Sequence, residues 1–269
     1  MKTIVLANHK GGCAKTTTAF NLAVALAAQG SRVLAVDLDP QGNLSAVLGV
    51  DLEELEETRR TSMRLMLDLT GDFSEYVVDA RPRVKIIPCC LDGEAEAVIT
   101  AADSRELLLK EKLEPARESF DYCVIDTPPS LGTPTLNALA MSDLTIVPID
   151  TGLFALLGIK QLLRKVTSIS KRYSPTMQIL ALSTKYTGRQ KLDREVRERV
   201  LARFGEDYVF NTTIPKLVAV EESTASLRAV SEAHSESPAT FAFRQLVKEI
   251  KEVLSNEEVG TQANIRDAK

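Results

Sequence analysis

Read for polarity alone, the chain alternates short apolar runs with longer stretches in which apolar residues return every three or four positions. Residues 3–7 (Thr-Ile-Val-Leu-Ala) predict a buried strand. Residues 16–29 place Phe20, Leu22, Ala23 and Leu26 at helical spacing, with Gly30 as the stop. Residues 32–36 (Arg-Val-Leu-Ala-Val) predict a second strand, ending at Asp37. Strand, loop, helix and strand in that order form a βαβ unit, which implies parallel pairing.

The alternation continues. Strands are expected at Val84–Pro88, Tyr122–Ile125, Leu144–Pro148 and Gln178–Leu182. Helices are expected at Leu44–Leu48, Thr61–Leu69, Glu94–Ala102, Ser104–Ser119, Pro134–Ala140, Gly152–Ser170, Leu192–Phe204 and Pro238–Leu254. Ser237 caps the last of these and Pro238 takes its first position. Residues 51–60, acidic and then basic, read as a solvated surface stretch. No repeat or low-complexity linker interrupts the pattern. The expected architecture is one α/β domain over residues 1–254, a mostly parallel sheet flanked by helices, with a polar, frayed tail at 255–269.

Composition narrows the function classes. Apolar residues make up 44% and charged residues 26% of 269, as in a globular protein. With no Trp and 5% aromatics, a base-stacking platform is not expected. A net charge of −4 means that any nucleic-acid binding must come from a local patch. Cys13, Cys89, Cys90 and Cys123 form no metal-ligand spacing and read as small buried hydrophobes in a reducing cytosol. No apolar run approaches the length of a membrane span, and Met1 and Lys2 lead straight into a strand rather than a signal peptide.

The chemistry lies in the loop after the first strand, Lys10-Gly-Gly-Cys-Ala-Lys-Thr-Thr17. A Gly-rich loop between strand and helix turns backbone N–H groups toward phosphate oxygens, and the helix dipole adds to the attraction. Gly11 and Gly12 allow close approach, Lys15 would neutralise the β- and γ-phosphates, and the Thr16 hydroxyl would ligate Mg²⁺. The general pattern G-x-x-x-x-G-K-[ST] is not met, because His9 and Ala14 stand at its glycine positions. Carboxylates end two of the expected strands: Asp37 and Asp39 after one, Asp126 after another. Ligands of doubly wound sheets sit at those strand ends, so the three point to Mg²⁺ and water.

The extra lysine at the front, Lys10, makes the loop similar to the deviant Walker A motif of the ParA/MinD family of ATPases. Val36-Asp-Leu-Asp-Pro-Gln-Gly-Asn43 and Val124-Ile-Asp-Thr-Pro-Pro-Ser130 resemble that family's further signatures. So do Asn137-Ala-Leu, Val147-Pro-Ile, Tyr186-Thr-Gly-Arg and Thr213-Ile-Pro. The resemblance covers most of the chain and is to the short, Soj-like type, without an N-terminal DNA-reading extension or a C-terminal basic membrane helix. It implies a deviant P-loop fold and an ATPase using ATP and Mg²⁺. It implies nucleotide binding by residues 10–17 (Lys10, Gly11, Gly12, Cys13, Ala14, Lys15, Thr16 and Thr17) and by Pro215. Lys10, Lys15 and Asp39 would be catalytic: Lys10 reaches across a dimer to the partner's phosphates, and Asp39 positions the attacking water. Thr16, Asp37 and Asp126 would form the metal site.

For partners the resemblance implies a homodimer in the ATP state, non-specific DNA, a ParB-like or cargo-adaptor protein, no membrane, and a cytoplasmic, nucleoid-associated location. Arg189 and Lys216 match basic positions that relatives use on DNA. Other cations, Lys191, Arg194, Arg197, Arg199 and Arg203, lie nearby, with Asp193–Arg197 and Glu195–Arg199 spaced to pair. Residues 214–224 depart from the family pattern, with Leu217 and Ala219 replacing an Asn and an Arg, so DNA partition and the positioning of a protein cargo both stay open. An iron–sulfur reductase is disfavoured by the position of Cys123, and an amidoligase-type synthetase by Lys10.

Overall fold

In a computed structural model, residues 1–69, 71–152 and 159–255 are described. Eight strands form one sheet: β1 (Lys2–Leu6), β2 (Val33–Asp37), β3 (Val78–Arg81), β4 (Val84–Ile87), β5 (Tyr122–Asp126), β6 (Leu144–Asp150), β7 (Gln178–Tyr186) and β8 (Val209–Pro215). Their order is β3-β4-β2-β5-β1-β6-β7-β8, and every pairing is parallel except β3 with β4. The helices are α1 (Lys15–Ala28), α2 (Asn43–Val47), α3 (Leu52–Thr58), α4 (Ser62–Leu67), α5 (Gly93–Ala101), α6 (Leu108–Lys112), α7 (Thr133–Ala140), α8 (Ile159–Tyr173), α9 (Lys191–Phe204), α10 (Val218–Ala225), α11 (Val230–Ala233) and α12 (Pro238–Ser255).

The central strands are apolar throughout because both faces of the sheet are covered. One face packs under α4 to α9, with Leu139, Leu162, Leu163, Val166, Val196 and Val200 in the core. The other packs under α1 and α12, with Phe20, Leu22, Leu26, Phe243, Leu246 and Ile250. Each such side chain contributes about 1.5–3 kcal/mol by leaving water. The βαβ reading and the parallel sheet are therefore present as expected.

Four local differences have physical causes. Residues 51–60 contain α3, because Asp51 caps it by accepting from the amides of Glu53 and Glu54. Residues 104–119 do not form one helix; Pro115 cannot continue α6 and instead starts a 3₁₀ turn at Pro115–Glu118. The edge strand β3 adds one antiparallel ribbon. The edge strand β8 is masked in the sequence by polar Asn211, Thr212 and Thr213, and it is clamped by side chains. The Glu249 carboxylate of α12 accepts from Asn211 N (2.8 Å) and Thr212 N (2.9 Å). The start expected for the helix at Gly152 falls partly on residues 153–158, outside the described residues. So does the expected tail beyond Ser255.

Candidate functional site

The carboxyl ends of β1, β2 and β5 meet at one point. Leu6 and Asp37 are both register partners of Asp126. The loop after β1 is pinned there by side chains from distant strands. Asn8 Nδ2 donates to Pro148 O (2.7 Å) while its Oδ1 accepts from Lys10 N (3.1 Å). Thr184 Oγ1 donates to Cys13 O (3.0 Å), and Thr127 Oγ1 to Leu6 O (2.8 Å). The loop then enters α1, whose unpaired N-terminal amides face a cavity. Ala14, the residue before α1, has φ 69° and ψ 32°. That left-handed conformation costs a residue with a Cβ about 1–2 kcal/mol.

The cavity has two parts, one at the phosphate loop and one, suited to a nucleotide base, beside β8 and α10. The first, of about 510 Å³, is lined by Gly11, Gly12, Ala14, Lys15, Thr16, Thr17, Asp39, Gln41 and Asn43 among others. The second, of about 410 Å³, is lined by Ile214, Pro215, Lys216, Leu217, Val220, Glu221 and Thr224. Ala14, Thr17, Lys185 and Thr224 belong to both, so the two parts are continuous. Lys15 is 7% exposed, and its Nζ lies 3.4 Å from Lys10 O.

Thr16 Oγ1 donates to Asp126 Oδ2 at 2.6 Å, while Asp126 Oδ1 is buried with no hydrogen-bond partner. Burial, and then the neighbouring Asp37, push the Asp126 carboxyl up to about 8. Burial also raises Asp37, to about 7, against the hydrogen bonds from Ser45 and Asp39 that lower it. Two buried carboxyls with an orphaned oxygen are a site short of positive charge, which fits a divalent cation. Among the described residues no cluster of three His, Cys, Asp or Glu could hold a metal by itself. That suits a cation held by one carboxylate, a threonine and substrate phosphates. Asp37 differs from Asp126. Its oxygens already accept from Asp39 N (3.0 Å), Ser45 N (2.9 Å) and Ser45 Oγ (2.8 Å), an arrangement that shapes the turn carrying Asp39. The same turn passes so close to the segment after β4 that a Cβ on Gly42 (φ +63°) would lie 2.7 Å from Cys89 O.

The other expected site residues divide. Lys10 lies beside the loop with its Nζ on the Asp150 carboxylate, 2.7 Å from Oδ1 and 2.9 Å from Oδ2. Only the backbone of Cys13 is available to a ligand, because its side chain is buried and burial pushes its thiol up. Arg189 is exposed before α9, and Lys216 is exposed at the end of β8, on the wall of the second part. Tyr186 and Pro215 are register partners, so these two cations stand at adjacent strand ends. The expected pair Asp193–Arg197 is not formed. Asp193 is buried and accepts from Thr187 N and Oγ1. Arg197 instead donates to Ser183 Oγ, Phe210 O and Asn211 O. Glu195 pairs with Lys191 (3.5 Å).

Two site residues escaped the sequence reading. Asp150 ends β6 as Asp37 and Asp126 end their strands, and that signal could have found it. Lys185, next to last in β7, has a left-handed conformation (φ 53°) and lines both parts of the cavity, and no motif marks it.

Comparison with known proteins agrees with this geometry. Residues 1–179 match the AAA_31 family, described as an AAA domain. The chromosome-partitioning ATPase Soj of Thermus thermophilus is 37% identical over 93% of this chain and 95% of its own. Among solved structures, cobyrinic acid a,c-diamide synthase from Mycobacterium smegmatis, with an ATP analogue and magnesium bound, superposes with a TM-score of 0.82 at 30% identity, over 97% of this chain and 99% of that one. An ATP complex of McdA from Cyanothece also gives 0.82, at 25% identity, over 95% and 96%.

Proposed function

The chain belongs to the ParA/MinD family of P-loop ATPases, and on that premise we propose that it is an ATP-driven switch: two copies close on ATP, the dimer binds DNA without sequence preference, and partner-stimulated hydrolysis releases it. Lys15 neutralises the β- and γ-phosphates from its buried position. Thr16 Oγ1 and Asp126 hold Mg²⁺, which when bound offsets charge on the phosphate oxygens. Asp39, on the turn that Asp37 organises, orients the attacking water. Thr17, the backbone of residues 11–14 and Pro215 hold the rest of the nucleotide.

The observation that carries the switch is Lys10. It stands at the front of the loop and is held by Asp150 within its own chain. Charge compensation by Asp150 holds the lysine against its own chain until a second copy presents phosphates that replace the carboxylate. The partner in DNA partition would be a ParB-like, centromere-bound protein, and the chain would be cytoplasmic and nucleoid-associated. The unusual Leu217 and Ala219 favour a second reading, in which the same switch positions a protein cargo through an adaptor. A synthetase reading is disfavoured by Lys10, the extra lysine at the front of the loop.

The test is duplex-DNA binding by gel shift with ATP and with ADP at 50 and 200 mM salt, alongside Lys10→Ala. The expected result is salt-sensitive binding with ATP only, lost in Lys10→Ala together with dimerisation and turnover, while nucleotide affinity stays within about threefold. Equal, salt-insensitive binding with both nucleotides would sink the switch.

A further inference from the structure

Between Asp150 and Asp193 the chain contains no Asp or Glu. Residues 151–192 hold eight of the 33 Lys and Arg and none of the 37 acidic residues, in a chain whose net charge is −4. Part of that charge lies at the nucleotide edge, at Lys185, Arg189 and Lys191. The other five lie on α8, which runs from that edge toward the opposite end of the sheet.

The exposed side of α8 carries Arg164, Lys165, Lys171 and Arg172, with Ser168 between the two pairs. Seven residues, about 10 Å of helix, separate one pair from the other. One strand of duplex DNA presents about three phosphates over that length. Among the described residues none of the four is in an ion pair. Lys165 Nζ donates to Leu131 O (3.1 Å), and the Arg172 guanidinium lies 5.0 Å from the Tyr173 ring. The adjacent α9 packs on the same core and adds exposed Arg194 and Arg199. The acidic groups of α9 on this side are Glu195, paired with Lys191, and exposed Glu198.

We propose that α8 is a phosphate-contact surface for duplex DNA, with Arg164, Lys165, Lys171 and Arg172 extending the footprint that begins at Arg189. The inference rests on the ATP-gated DNA binding proposed above and names a surface for it. An extended polyanion fits because the cations are exposed, spaced along one helix and, among the described residues, in no ion pair. A membrane does not fit: a helix lying in the interface needs its apolar stripe free, and Leu162, Leu163 and Val166 are at most 1% exposed in the core.

The experiment measures binding of the full chain with ATP and Mg²⁺ to a 40-base-pair duplex of random sequence at several salt concentrations. Arg164→Glu/Lys165→Glu and Lys171→Glu/Arg172→Glu are compared with Arg244→Glu/Lys248→Glu, on α12 across the sheet. Each α8 double variant is expected to bind at least tenfold more weakly at 50 mM salt and to lower the slope of log K against log salt by about two for each copy that contacts the duplex, about four for the dimer. The α12 variant should stay within threefold of wild type. If charge reversal prevents folding, Arg164→Gln/Lys171→Gln carries the test, with the same expected loss of slope. Wild-type affinity and slope in the α8 variants, with binding lost in Arg189→Glu, would overturn this surface and leave the switch standing. A similar loss in the α12 variant, or loss of binding to phosphatidylserine vesicles instead of DNA, would also overturn it. A wild-type chain that binds no duplex with ATP would end both readings.

Discussion

The two parts of the nucleotide cavity are built in opposite ways. At the phosphate end the charged groups at the base of the cavity are buried and the loop is cross-tied. Lys15, Asp37 and Asp126 are almost wholly out of water, and the loop is fixed by Asn8, Thr127 and Thr184 from three separate segments. At the base end the wall is β8 and α10. There Val218 is 67% exposed, the helix has no side-chain cap, and the lining is a mixture of Pro215, Lys216, Leu217, Glu221 and Thr224. The first end is made for one arrangement of charge, which phosphoryl transfer requires. The second is lined by mixed polar and apolar groups and lies apart from the buried carboxylates of the first.

The largest expected effect therefore lies at the phosphate end. Lys15→Ala should lower ATP turnover by about 1,000-fold or more and weaken ATP by about 100-fold, roughly 2.7 kcal/mol. Titration with a fluorescent ATP analogue checks the second figure. A loss under tenfold would break the comparison, because the buried cation would not then dominate that end. At the base end, Leu217→Ala should weaken ATP and ADP alike by about fivefold, near 1 kcal/mol, with kcat within twofold. A fall in kcat larger than the change in affinity would show that this wall takes part in the chemistry.

The contrast also explains what could be read in advance. β1, β2, β5 and β6 are buried on both faces, so their apolar runs announce them, and Asp37, Asp39 and Asp126 follow directly at their ends. The loop from Lys10 to Thr17 is contiguous in sequence, and its spacing carries its meaning. β8 and α10 are half-solvated, and their residues satisfy no simple period. Lys10 and Asp150 are 140 positions apart, and only strand order brings them together. Lys185 owes its place to a backbone conformation that side-chain identity does not encode.

The smallest effect sharpens the comparison from the other side. Ala14 holds a glycine-like conformation where the general phosphate loop has Gly. Ala14→Gly should release about 1–2 kcal/mol of backbone strain while adding about 0.5–1 kcal/mol of unfolded-state freedom. The net expectation is a gain below about 1.5 kcal/mol, a rise of a few degrees in melting temperature. Calorimetry of the nucleotide-free chain measures it. A fall in melting temperature would mean that the methyl group contributes packing that outweighs the strain.

The Glu249 clamp on β8 also bears on assembly. An outermost strand with free N–H groups is a template on which another chain can add a strand of its own, and repetition of that step makes fibres. By taking the amides of Asn211 and Thr212, one carboxylate on α12 removes two of the donors such growth would need. A protein proposed to meet copies of itself at a nucleotide-gated face gains from having its sheet margin closed to ungated association.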